Sequence, residues 1–554
     1  MTRTKEEGKG KRIGFAAIGL AWSVSAAAQT VSIIPRPVSV RTEAGHFTLD
    51  ARTVIWTDPT GAPIAHQLAG YLEPATGLIL RVQVGGGVPG GAIALRVDRS
   101  LTRLGTEGYS LTVRPSGVDA RAPQLAGLFY AVQTMRQLLP PGIFREAPAS
   151  VSGSSTDWSM PAVTIEDQPR FAWRGGLLDS ARHFMPKEFV KKYIDLLALH
   201  KLNTFHWHLT DDQGWRIEIK QYPRLTAIGS CRKETIVGRQ PRDDTQWKFD
   251  GTPHCGFYTQ DDLREIVAYA QARYVTIVPE IEMPGHAVAA NSAYPELGVT
   301  GEPMEVATRW GVFSDIFNTE PATIAFLQNV LTEVMQIFPG RYVHVGGDEA
   351  DKAKWKTSAR IQARIKELAA GDEHGLQSWF IRQMDAFLAS KGRRLVGWDE
   401  ILEGGLAENA VVMSWRGVEG GIAAARAGHD VVMTPTSHTY FDYYQSKDQA
   451  REPLAIGGFI PLETVYSYEP IPEQLEPRFA GHVLGAQGQL WTEYMPTPKQ
   501  VEYMAFPRLT ALAEVVWSPK EGRDYADFVK RLELHLPRLQ ALDVDYRPLG
   551  DSAR

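Results

Sequence analysis

Two acidic residues stand side by side at Asp348 and Glu349, just after an apolar run and two glycines, in a chain of 554 residues. Other short apolar runs end in comparable polar strings. One ends in Asp179-Ser180-Ala181-Arg182-His183, the next in His206-Trp207-His208-Leu209-Thr210-Asp211-Asp212, and a third in Glu280-Ile281-Glu282-Met283-Pro284-Gly285-His286. Trp398-Asp399-Glu400, Trp415, Tyr440 with Asp442, and Trp491-Thr492-Glu493 complete the set. Carboxyl groups beside indoles and Arg suit a sugar, because indole faces pack on the C–H faces of a pyranose while charged groups bond its hydroxyls. The chemistry such groups predict is glycosidic cleavage, which needs an acid to protonate the leaving oxygen.

Scattered residues of this kind act together only if the fold gathers their strand ends. Apolar runs at residues 175–178, 204–209, 275–280, 342–346, 394–397, 410–414, 430–434 and 484–490 alternate with amphipathic segments at 187–200, 263–272, 324–338 and 377–391. Eight such β/α units predict a (β/α)₈ barrel, in which residues after the strands converge on one face. Residues 31–165 read differently, as short β-rich runs at 38–49, 92–97 and 109–113 between Gly/Pro turns, closed by a helical pattern at 125–139. This is a separate small α+β domain. Its glycine run at 85–91 lacks phosphate-loop spacing and reads as a turn, and the Ser/Pro-rich stretch at 147–161 reads as a linker or surface loop. The expected organisation is a leader at 1–28, the small domain at 29–165, and the barrel at 166–554 with a C-terminal helix.

The leader rests on Lys5, Lys9, Lys11 and Arg12 before an apolar run at 13–24 and small residues at 25–28. That is the pattern of a secretory signal peptide cleaved near Ala28, and its apolar run is shorter than the ~20 residues that span a bilayer. The expectation is an exported protein, periplasmic or extracellular, with no membrane span after cleavage. A formal net charge of -5 without long basic blocks argues against nucleic acid as a partner. Cys231 and Cys255 are the only cysteines; export permits them to pair, and two free thiols is the alternative.

The strings from Arg174-Gly175 to His183, Lys201-Leu202-Asn203 through His206-Trp207-His208, Met283-Pro284-Gly285-His286 and His344-Val345-Gly346-Gly347-Asp348-Glu349 resemble those of glycoside hydrolase family 20, the β-N-acetylhexosaminidases and chitobiases. The resemblance extends over essentially the whole chain after the leader, small domain included. It implies that Glu349 is the general acid and later the base, that Asp348 orients the 2-acetamido group, and that Tyr440 holds the acetamido carbonyl oxygen. It further implies that Trp398, Trp415 and Trp491 enclose the sugar, that Arg182, Glu493 and Asp442 bond its hydroxyls, that Asp211 supports Arg182 or the acid network, and that His286 braces the catalytic carboxylates. The expected partner is a terminal N-acetylhexosamine glycan, with GlcNAc and GalNAc both open, and neither metal nor cofactor is expected.

Adjacency of the two acids agrees with this independently. A conventional retaining glycosidase holds two carboxyls about 5–5.5 Å apart across the anomeric carbon, whereas neighbours on a strand point to opposite faces. Separate tasks suit Asp348 and Glu349 better, unless the turn at the strand end redirects them. Substrate-assisted cleavage needs no protein nucleophile, and burial beside a carboxylate is expected to raise the pKa of Glu349. Other readings are a helix N-terminal role for the acidic pair, a metal-dependent barrel hydrolase built on the His206/His208 pair, and a sugar-binding protein without turnover. Trp207 reads as core, and His206 and His208 as pocket or barrel interior.

Overall fold

In the computed structural model, which describes residues 1–2, 31–147 and 157–550, the apolar runs of the second part of the chain become eight parallel strands. They are β8 (Trp173–Asp179), β9 (Thr204–His208), β10 (Thr276–Glu280), β11 (Tyr342–His344), β12 (Arg394–Trp398), β13 (Val411–Ser414), β14 (Val431–Met433) and β15 (Val483–Gly488). Each pairs with the next, and β15 pairs with β8, with Gly485 opposite Trp173, so the barrel is closed. Side chains of β8 and β9 are buried along their whole length, because a barrel strand meets packed side chains inside and helices outside.

Helices α3 (Lys187–Leu199), α4 (Gln260–Gln271), α5 (Pro321–Ile337) and α6 (Glu373–Ser390) form part of the outer layer. In α3, Phe189, Tyr193, Leu196 and Leu197 are buried on one face. A capping box starts α4, where Thr259 and Asp262 satisfy each other's backbone N–H groups. The C-terminal helix α8 (Tyr525–Ala541) follows α7 (Arg508–Trp517).

The preceding domain is a seven-stranded mixed sheet in the order β1-β7-β5-β6-β4-β2-β3, built from β1 (Ser39–Thr48), β2 (Val54–Thr57), β3 (Arg81–Val84), β4 (Ile93–Val97), β5 (Tyr109–Arg114), β6 (Gly117–Ala122) and β7 (Ser159–Asp167). Helices α1 (Ala62–Thr76) and α2 (Leu125–Leu138) pack against it. The linker reading of 147–161 is corrected at its end, since Ser159 already starts β7, which lies between β1 and β5. Residues 148–156 and, from residue 3 onward, the leader lie outside the described residues.

Two of the sequence signatures serve the join between sheet and barrel. Arg174 donates to Glu107 at 2.7 and 3.1 Å. Lys201 reaches Asp167 at 2.8 Å with both side chains fully buried. Cys231 and Cys255 form a disulfide across a two-stranded ribbon in which they face each other.

Candidate active site

Strand β11 stops at His344, and the chain then turns through Gly346 (φ 67°), Gly347 (φ 91°) and Glu349 (φ 45°). A Cβ at Gly346 would lie 1.8 Å from Glu282 Oε2, so only glycine fits there. The turn takes the acidic pair out of strand alternation and brings both side chains to one histidine. His286 Nε2 lies 3.7 Å from Asp348 Oδ2 and 3.5 Å from Glu349 Oε2. Gly285 permits this approach, as its Cβ would stand 2.9 Å from the carbonyl oxygen of Asp348. The next helix begins only at Ala353, so the pair is not in its first turn.

On its other side His286 Nδ1 meets Asp212 at 3.0 Å and Asp211 at 3.2 Å. Burial disfavours its charge, but Asp211, Asp212 and Glu349 outweigh burial and hold the imidazole well above its ordinary pKa. The hydrogen bond from His286 in turn holds the Glu349 carboxyl below its usual range, with burial opposing. This reverses the expected upward shift: Glu349 is 40% exposed and its nearest strong charge is a cation. Asp211 also takes Arg182 at 2.8 Å and His208 at 2.9 Å. Arg182 contacts Asp179 at 3.2 Å and Glu493 at 3.8 Å, so the Arg182–Asp211 pair exists within a wider network.

Burial raises Asp348, with the cationic His286 opposing. Two carboxyls not singled out as site residues crowd it. Glu282 is buried and is raised well above its ordinary value by burial and by the charges of Asp348 and Glu280, with His286 opposing. Glu400, which accepts from Trp415 Nε1 at 2.9 Å, is pushed up to about 8 by burial and by Asp348. Both stand in the strand-end strings, but only the fold shows that they share a space with Asp348. Asp442 is raised well above the carboxylate range by burial and the nearby Glu493. Its Oδ1 and Glu493 Oε2 are buried without a protein partner.

The aromatic groups divide. Trp415 stacks near Tyr440 with ring centroids 6.1 Å apart, and Trp491 lies 5.7 Å from Trp398, with the Arg182 guanidinium 5.2 Å over its ring. Trp398 is only 1% exposed and donates to Glu280 at 2.9 Å, which makes it a floor rather than a wall. Trp207 is core, its N–H bonded to Ser180. His206 and His208 lie inside the barrel and turn to Glu280. That carboxylate accepts from Trp398 and lies against three imidazoles, those of His206, His208 and His344.

A closed (β/α)₈ barrel with carboxyls, an arginine and indoles gathered at its C-terminal strand ends defines a sugar-cleaving site, and the protein is a glycoside hydrolase. The model of the glycosyl hydrolase family 20 catalytic domain matches residues 171–520, and that of the same family's domain 2 matches residues 30–168. The chain therefore belongs to glycosyl hydrolase family 20. It is 44% identical to a beta-hexosaminidase of Porphyromonas gingivalis over 93% of its length, spanning 64% of that relative. It is 36% identical to a beta-N-acetylhexosaminidase of Cellulomonas fimi, with 92% and 94% of the two chains covered. A mutant beta-hexosaminidase of Streptomyces plicatus, solved with product GlcNAc, superposes with a TM-score of 0.80 at 33% identity, covering 94% of this chain and 97% of that one.

Proposed function

We propose that this chain is an exo-acting β-N-acetylhexosaminidase that removes a terminal non-reducing β-linked GlcNAc or GalNAc with retention, using the sugar's own acetamido oxygen as nucleophile. One observation carries the reading. The two carboxyls that meet His286 are chain neighbours of opposite setting, Glu349 40% exposed and Asp348 13% exposed, while burial and the charge of Asp348 raise Glu282 and Glu400 beside it. A protein nucleophile is then unnecessary. Glu349 gives its proton to the leaving oxygen as the acetamido oxygen attacks the anomeric carbon and the glycosidic bond breaks. Asp348 accepts from the acetamido N–H and stabilises positive charge on the oxazolinium nitrogen, while Tyr440 donates to the acetamido oxygen. Glu349, now a carboxylate, takes a proton from the water that opens the ring, and the β-anomer leaves.

Trp415 and Trp491 wall the sugar over the Trp398 floor. Arg182, Glu493 and Asp442 take its hydroxyls, while Asp211 and His286 hold the acid in place. The GlcNAc product bound by the Streptomyces plicatus relative supports this substrate class. We infer likewise that the chain is exported, a reading that the Cys231–Cys255 disulfide supports. Among the described residues no helix is long and apolar enough to cross a membrane.

The test compares an aryl β-N-acetylglucosaminide with the matching β-glucoside, adds a thiazoline analogue of the cyclised intermediate, and assays Asp348→Asn and Glu349→Gln. Cleavage of the acetamido sugar alone, strong thiazoline inhibition and collapse in both variants are expected. Comparable β-glucoside cleavage or indifference to the thiazoline overturns the reading.

A further inference from the structure

Beneath the pocket lies a fully buried polar cluster that the proposed reaction leaves without a task. Glu280, at the end of β10, accepts from Trp398 Nε1 at 2.9 Å on one oxygen, which also lies 2.8 Å from His344 Nδ1. Its other oxygen faces His206 Nε2 at 3.2 Å and makes a short hydrogen bond with His208 Nδ1. The second nitrogen of His208 lies 2.9 Å from Asp211 Oδ2. A neutral imidazole carries one N–H, so in this setting it would press a lone pair against a carboxylate; two carboxylate partners require the doubly protonated ring. Asp211 then meets His286, and His286 meets Glu349. The contacts form an unbroken line from Trp398 through Glu280, His208, Asp211 and His286 to Glu349.

We propose that the His208–Glu280 pair is a positioning unit for this reaction, with His208 an imidazolium that ties the indole floor at Trp398 to the acid–base arm ending at Glu349. The inference rests on the reading of Glu349 as acid and of Trp398 as floor. Burial opposes the charge on His208, yet Glu280 and Asp211 raise it to about 10. The other titratable groups around His208 are Asp179, His206 and Glu282. Around Asp211 they are Arg182, Asp212, His286 and Glu493, and Glu280 also acts on Asp348. These stay in place when His208 is exchanged, so loss of its charge leaves the Asp211 end more negative. The Glu349 carboxyl then holds its proton to higher pH.

The test is the pH dependence of kcat/KM for full-length wild type, His208→Gln and Glu280→Gln on an aryl β-N-acetylglucosaminide. Absence of turnover by wild type defeats the parent reading and, with it, this inference. With wild type active, His208→Gln is expected to move the alkaline limb upward by about half a unit or more. Glu280→Gln moves it less and raises KM several-fold, because the Trp398 N–H loses its charged acceptor. An unmoved limb in a folded His208→Gln enzyme overturns the proposal, whatever happens to the rate, since a merely structural residue changes rate without retuning the acid. Neutron diffraction of the wild-type enzyme near neutral pD decides the matter even if the variants do not fold. Deuterium on both His208 nitrogens is expected, and deuterium on one alone overturns the assignment.

Discussion

His286 Nε2 stands 3.5 Å from Glu349 Oε2, so the residue proposed as the acid has a buried imidazolium as its neighbour. A cation there stabilises the ionised carboxyl, and a carboxyl with a lowered pKa loses its proton earlier as pH rises. His286→Asn removes the cation and leaves the burial. The Glu349 pKa then rises, and the alkaline limb of kcat/KM moves to higher pH, while kcat falls about 10²-fold from lost positioning. A pH–rate profile of the variant checks this, and an alkaline limb displaced downward contradicts the assignment.

Seating a sugar changes the same balance. A ring over the pocket removes water from a side chain that is 40% exposed, so burial gains on the hydrogen bond from His286. The alkaline pKa seen in kcat, which reports the complex, should therefore exceed the one seen in kcat/KM, which reports the free enzyme. Equal values in the two profiles rule this account out.

Tyr440 is 8% exposed and held against Trp415 by a near-parallel contact at 27°. Burial, joined by the charge of Asp442, keeps its hydroxyl protonated well beyond the ordinary tyrosine range, so it is a donor at every working pH. Tyr440→Phe should lower kcat about 10²–10³-fold, as loss of one preorganised donor does. Steady-state kinetics decide the point: a higher KM with unchanged kcat means that the hydroxyl binds the ground state only.

The disulfide ribbon acts on the pocket through Arg232. This buried residue, next to Cys231, donates to the carbonyl oxygen of Arg182 at 2.6 Å and to Thr235 at 2.8 Å. Replacing both cysteines by Ser should destabilise the chain by about 2–4 kcal/mol and raise KM more than it lowers kcat. Urea titration and kinetics on the double variant test both halves. A destabilised enzyme with unchanged KM separates the ribbon from Arg182.

Much of this architecture is legible in the chain, for physical reasons. All eight apolar runs became barrel strands because a strand buried on both faces is apolar along its length, whatever its neighbours. The small domain was harder. The run at 38–49 gave β1 although nine of its ten positions are exposed, but β7 begins inside a Ser/Pro-rich stretch and carries no full apolar signal at its start. At the site, residue types marked the right strand ends but not their charge states. The direction of the Glu349 shift depends on its meeting the cationic His286, which the turn through Gly346, Gly347 and Glu349 brings about. Glu282 and Glu400 were visible as acids, but their crowding on Asp348 arises only when strands distant in sequence close the barrel.

The join between the sheet and the barrel makes the last prediction. Asp167, at the end of β7, accepts from Lys201 at 2.8 Å, Tyr109 at 2.8 Å and Trp517 at 2.9 Å, with no exposure of either charged side chain. Removing one partner of such a pair strands a charge, which costs about 3–5 kcal/mol, whereas replacing both removes the charge altogether. Lys201→Met should therefore destabilise the protein far more than Lys201→Met combined with Asp167→Asn. Urea midpoints of wild type, single and double variants measure the difference. If the two variants lose stability equally, the pair matters for packing alone and the charge plays no part in holding the small domain to the barrel.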